Sequence, residues 1–293
     1  MRIGVDFTST AIKAGIVSGG HVLRATSAET PATADPERIL DTIARVVGEL
    51  DAAPDAVGIA IPGEVNADGR CWRLPNSRGF EGIHIAREVS RRLHCPISVE
   101  NRATTAALAE QLYGHGQRHH TFLLVSLDTG IGGGLVIGRQ LYPGSNGFGA
   151  EIGHVRVDTL LDAPECACGQ RGCVEAFAGT RAVLRRFNEL GGQATDLAGV
   201  AASARRGEWA GVCAFESMGR ALGRGLATAQ NFLDLGAVVF AGAAAPYVDL
   251  LQSFVREELV HHSFAPPLAQ VPLLVSALGD NAGVIGAAHL TEL

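Results

Sequence analysis

The sequence predicts an α/β protein of two lobes, and three observations carry that expectation. Residues 2–62 read in the order strand, strand, strand, helix, strand, with the chain's first acid, Asp6, ending the first strand. A second block of strands and helices opens at FLLVSLD, residues 122–128. At 293 residues the chain is long enough to bury two separate cores.

The first block begins with the strands IGVDF, AIKAGIVS and HVLRATSAE, divided by turns such as Ser18-Gly19-Gly20. Residues 36–50 have helical periodicity, with Asp35 as N-cap and Pro36 at the first helical position. AVGIAIP, residues 56–62, suits a strand buried on both faces. A polar loop over 63–80 leads to a helix at 82–94 and a strand at Pro96–Glu100, after which Asn101 opens a further helix. In the second block, Thr129-Gly130-Ile131-Gly132-Gly133-Gly134 reads as a glycine turn before the strand LVIGRQL. Helices are expected at 174–189, 195–206 and 210–235, the last with Met218, Leu222, Leu226 and Phe232 on one face. AVVFAGA, a helix at 247–260, the strand LLVSA and the closing helix VIGAAHL complete the chain. The expected division is a first lobe at 1–115, completed by 281–293, and a second lobe at 116–280.

Composition narrows the class. The chain is 47% hydrophobic and 18% charged, with net charge −6 and mean hydropathy +0.18. That mildly acidic balance argues against nucleic acid or an anionic membrane as partner. No apolar run reaches bilayer length and no secretory leader precedes the first strand. With clustered thiols, a reducing cytoplasm is expected. Lys13 is the only lysine, read as composition bias, and the pairs His119-His120 and His261-His262 are expected in solvent.

The densest chemistry lies in Glu151–Glu175, where His154, Cys166, Cys168 and Cys173 are spaced H-x11-C-x-C-x4-C. Three of six cysteines within eight residues, separated by glycines, suit a tetrahedral structural zinc site. Buried cysteines beside an unrelated histidine are the bland alternative. Glu151 and Glu175 frame the segment and are placed to accept hydrogen bonds from a polyhydroxylated ligand.

These segments together resemble the ROK family, bacterial glucokinase-like sugar kinases and sugar-responsive repressors. The resemblance covers essentially the whole chain. It rests on GxxxEIGH…CxCGxxGCxE, VGIAIPG, LPN, VENRATTAALAE, TGIGGG and VVFAGA. It implies the actin-like ATPase (ribonuclease H-like) fold, with sugar and ATP meeting between the lobes, and commonly a homodimer or homotetramer. It also implies that Gly63, Asn76, Asn101, Glu151, His154 and Glu175 contact sugar hydroxyls, His154 ligating zinc through one ring nitrogen and facing the sugar with the other. Thr8, Ser9, Thr10, Thr129, Gly130, Gly132 and Gly242 fall on its nucleotide side, as does Gly279–Gly283. The family's repressors carry an additional N-terminal DNA-binding domain; this chain starts at the first strand, so DNA binding is not expected.

The phosphoryl-transfer positions depart from that pattern. Where the family places its general-base aspartate after Glu-Asn, this chain has Arg102, which is protonated at physiological pH. The family's D-x-G-G-T is Asp6-Phe7-Thr8-Ser9-Thr10 here, keeping the magnesium-side acid Asp6 but losing both glycines. Asp128 replaces the glycine before Thr129 and would face phosphate at like-charge cost. A pairing of Arg102 with Asp128 is therefore expected.

Three readings follow. The chain is an ATP- and magnesium-dependent hexose kinase using Asp6 or Asp128 as its base. Or it is a catalytically lapsed sugar sensor. Or Arg102 grips an anionic sugar derivative in a changed reaction. The altered positions argue against efficient use of ATP and magnesium.

Overall fold

The computed structural model describes residues 2–32, 35–50, 53–66, 68–75 and 78–292, Arg78 by its backbone alone. The chain divides into two compact units. The first comprises Met1–His120, Gly134–Ala150 and Ala277–Leu293, the second Thr121–Gly133 and Glu151–Ser276.

The first unit opens with β1 (Arg2–Phe7), β2 (Ala11–Ser18) and β3 (His21–Glu29), followed by α1 (Pro36–Gly48) and β4 (Ala56–Ile61). Asp35 caps α1 by accepting from the Glu37 N–H, with Pro36 in the first turn, as predicted. A small hairpin, β5 (Glu64–Val65) and β6 (Cys71–Arg73), precedes α2 (Ile85–Leu93), β7 (Ile97–Asn101) and α3 (Arg102–Tyr113). The main sheet has the order β3-β2-β1-β4-β7, antiparallel through β1–β2–β3 and parallel through β1–β4–β7. Ile3, Val5, Ile43, Val57 and Ile59 fill the core between this sheet and α1.

In the second block come β8 (Phe122–Leu127), β9 (Ile131–Ile137) and β10 (Gln140–Leu141), then α4 (Val174–Ala178), α5 (Thr180–Glu189), α6 (Leu197–Arg205) and α7 (Trp209–Leu233). β11 (Ala237–Ala241), α8 (Gln252–His262) and β12 (Leu273–Val275) follow, in a sheet ordered β10-β9-β8-β11-β12. Three expectations change here. Gly132–Gly134 lie within β9 instead of a turn; a Cβ at Gly134 would stand 2.4 Å from the Ala103 carbonyl, so close packing on α3 demands the small residue. The helix expected at 174–189 breaks at Gly179, whose backbone is extended. Met218, Leu222 and Leu226 are buried on α7, but Phe232, near its end, is 84% exposed.

The closing helix α9 (Ala282–Ala287) returns to the first unit and lies against β1 and β4. That approach is very close: a Cβ at Gly58 would sit 1.7 Å from the Ala287 carbonyl oxygen. Gly58→Ala must push α9 off the sheet and should cost about 3 kcal/mol or more of stability, read by denaturant unfolding. Among the described residues no helix is long and apolar enough to cross a membrane.

Candidate functional site

In the second unit the four predicted metal ligands converge. The donor atoms of His154, Cys166, Cys168 and Cys173 all lie within 4.8 Å of one another. Local backbone bonds build the knuckle: Cys166 N–H donates to Gln170 O, Gly169 N–H to Cys166 O, and Gly172 N–H to Pro164 O. Gly172 has φ +74°, and a Cβ there would stand 1.8 Å from Asp158 O, so this loop closes only with glycine.

The donor set fits a tetrahedral ion. Zinc–sulfur bonds of about 2.3 Å and zinc–nitrogen bonds of about 2.0 Å imply sulfur–sulfur edges of about 3.8 Å and nitrogen–sulfur edges of about 3.5 Å. Cys168 Sγ and Cys173 Sγ are 3.7 Å apart, and Cys166 Sγ is 3.6 Å from His154 Nδ1. Burial pushes the Cys166 and Cys173 thiols up, so a bound cation would supply the charge that lets them ionise. With Nδ1 turned to the sulfurs, His154 Nε2 faces Glu151 Oε2 at 3.9 Å. The two ring nitrogens thus face different partners, a sulfur on one side and a carboxylate on the other.

Glu175 links this cluster to the glycine turn. Its Oε1 lies 3.7 Å from Cys166 Sγ, and its Oε2 accepts from the Ile131 N–H at 3.0 Å. Gly130 leaves room for that carboxylate, since a Cβ there would be 2.4 Å from Oε2. Exposed Thr129 precedes it, and Gly132 lies inside β9. Asp128 is engaged within the same unit, accepting from Ser126 Oγ at 2.7 Å and from the Ala243 N–H at 2.9 Å. Gly242, at φ +89°, leaves space for it, a Cβ there lying 2.8 Å from Asp128 Oδ2. The Asp128 carboxylate thus ties the end of β8 to the turn after β11.

In the first unit Arg102 forks onto Asp6, with Nε–Oδ1 at 2.6 Å and Nη2–Oδ2 at 3.2 Å. From the sequence, Asp6 is expected on the magnesium side and Arg102 is expected to pair with Asp128; within the first unit the guanidinium engages Asp6. Asp6 is 6% exposed, and a Cβ at Gly283 would meet its carboxyl carbon at 2.6 Å. The loop after β1 is closed by the Thr8 side chain. Thr8 Oγ1 accepts from the Thr10 and Ala11 N–H groups and donates to Ala11 O, while the Thr8 N–H also goes to Ala11 O. Three backbone donors that a phosphate would need are therefore spent inside the turn. Exposed Ser9 lies between them.

Asn101 caps α3 through Oδ1, which accepts from the Ala103 and Thr104 N–H groups, and its Nδ2 donates to Gly63 O at 3.0 Å. One amide N–H remains for a ligand. Asn76 lies outside the described residues.

Two groups carry chemistry that the sequence reading passed over. Lys13 stands directly across from Asp6 in the β1–β2 ladder, and its Nζ donates to Asn281 Oδ1 at 2.7 Å. The signal was its singularity among 24 basic residues. Burial pushes the Glu100 carboxyl up from 4.5 to about 7, despite the Asn101 N–H that it accepts. Between those pH values the folded chain holds a proton that the unfolded chain releases. Stability therefore falls as pH rises from 4.5 to about 7, by about 3 kcal/mol at most. Glu100→Gln keeps the acceptor oxygen and should flatten that slope in unfolding curves taken across this range.

Comparison with known proteins covers nearly the whole chain. Residues 2–292 match the ROK family. The chain belongs to the ROK family. Among ROK proteins, the glucokinase of Streptomyces coelicolor is 31% identical over 316 residues, spanning 100% of this chain and 98% of its own. The kanosamine kinase of Amycolatopsis mediterranei is 29% identical, spanning 100% and 96%. A ROK family glucokinase from Streptomyces griseus, solved with glucose and AMPPNP, superposes with a TM-score of 0.84 at 32% identity, covering 99% of this chain and 98% of that one. The chain is thus a sugar-kinase-like ROK protein, its α/β architecture that of the actin-like ATPase fold.

Proposed function

We propose that this ROK protein binds a hexose or hexose-like ligand and that its phosphoryl-transfer centre is suppressed. The observation that carries this reading is the fork of Arg102 on Asp6. It fills the carboxylate assigned to the magnesium side with a guanidinium, and it puts a permanent cation where a general base is required. The closed Thr8 turn and the engaged Asp128 support the same conclusion from the other two phosphate positions. An anion-gripping role for Arg102 is disfavoured, because its charge is already paired.

The sugar-side residues support retention of binding. Zinc would be held by His154 Nδ1 and the thiolates of Cys166, Cys168 and Cys173, supplying a rigid frame and no chemistry of its own. His154 Nε2–H would then donate to a hydroxyl, and Glu151 and Glu175 would accept from hydroxyls. Asn101, Asn76 and Gly63 would contribute further contacts. Thr10, Thr129, Gly130, Gly132 and Gly242 keep nucleotide-side positions of the family without a usable phosphate loop between Asp6 and Ala11. The protein is expected in the cytoplasm as a homo-oligomer, without nucleic-acid or membrane partners.

A coupled assay for ADP release across a hexose panel tests the proposal. Background rates with every sugar are expected. Sugar-dependent turnover that disappears in Asp6→Ala would establish the kinase reading instead.

A further inference from the structure

We infer that Trp72 and Phe148 form an outer subsite that takes the apolar face of a second ring, so that the ligand is a glycoside larger than a monosaccharide. This rests on the sugar-binding proposal and names its ligand class. Trp72, on β6, is 57% exposed, and Phe148 is 36% exposed. Their rings meet edge-on, with centroids 5.4 Å apart and planes at 62°. The Arg73 guanidinium lies 5.3 Å from the indole centroid and is itself held by Glu64 through contacts of 3.3 and 3.4 Å. An aromatic and a cation thus fix the indole, while more than half of its surface stays open to water. Such a side chain loses little freedom when a ligand lands on it.

Its position gives the occupant. Gly63 packs on the strand that carries Trp72, since a Cβ at Gly63 would lie 2.3 Å from Arg73 O, and Asn101 holds Gly63 O in turn. Phe148 sits on a turn closed by the Gly149 N–H on Pro143 O at 2.7 Å, three residues before Glu151. Trp72 therefore stands one residue from the backbone that packs on Gly63, a proposed sugar contact, within the first unit. A pyranose presents hydroxyls at its rim and C–H groups on its face. The rim suits Asn101 and Gly63, and the face of a following ring suits an exposed indole.

Calorimetry with a panel of hexoses, and with disaccharides containing each, tests this. Disaccharides of the bound hexose should bind about tenfold tighter, and Trp72→Ala should erase that increment while leaving the hexose unchanged. Phe148→Ala should erase part of it. The chain has two tryptophans, so in a Trp209→Phe background fluorescence reports Trp72 alone and should respond to disaccharides. Equal binding of hexose and disaccharide, or equal weakening of both by Trp72→Ala, overturns the inference and leaves the hexose site standing. Binding of neither overturns the sugar-binding proposal and this inference with it.

Discussion

Cys173→Ser should cost at least about a hundredfold in metal affinity and carry sugar binding away with it. Cys173 is fully buried, its sulfur lies 3.7 Å from Cys168, and it N-caps α4, one residue before Val174 and two before Glu175. Its backbone pairs with Arg156 across the knuckle, while the Val174 N–H donates to Val155 O. Losing one ligand leaves three protein donors and gives the fourth position to water, and it loosens both His154 and the start of α4 that carries Glu175. Metal analysis of the purified variant, with sugar titration alongside, reads both effects. Full metal content together with lost sugar binding would separate the loop from the ion. Unchanged sugar affinity in a metal-free variant would show that the ion does not shape the site.

Arg102→Ala should destabilise the first unit by about 2–3 kcal/mol, because it strands a buried carboxylate without a counter-charge. The low end of the usual range applies, since the Arg102 side chain is 32% exposed while that of Asp6 is 8% exposed. Asp6→Asn should also destabilise, and the double variant should lose less than the sum of the two, with a coupling of about 1–3 kcal/mol. Urea unfolding of the four proteins closes the cycle. Strict additivity would mean that the fork contributes nothing and that Arg102 is held elsewhere. Arg102→Asp supplies a carboxylate but leaves the Thr8 turn closed, so it should not by itself bring efficient phosphoryl transfer.

The parts of this molecule that could be read from sequence are those whose determinants are local. Asp35-Pro36 marks a helix start because a cap and a missing N–H act within one turn. The His/Cys cluster was legible because three of its four members sit within eight residues. What escaped depends on distant neighbours. Gly132–Gly134 look like a turn until the close approach of α3 explains one of the glycines as a strand residue. Arg102 stood out in the sequence as a cation directly after Glu100-Asn101, but its choice of Asp6 follows from where β1 and the start of α3 lie, 96 residues apart in the chain. Thr8 and Ser9 looked like obstacles to phosphate. The structure adds that the Thr8 hydroxyl closes the turn itself. Phe232 followed the helical periodicity of Met218, Leu222 and Leu226 yet remains in water, because periodicity places a residue on a face without saying whether anything covers it.

Calorimetric titration of the zinc-loaded protein, first with its sugar and then with a magnesium–ATP analogue, tests the divided site most directly. Sugar heat that is abolished by Glu175→Gln, with no nucleotide heat before or after sugar saturation, is the predicted result. Nucleotide binding at ordinary kinase affinity to the unaltered protein would contradict it, since that requires Asp6 and the Thr8 turn to be free.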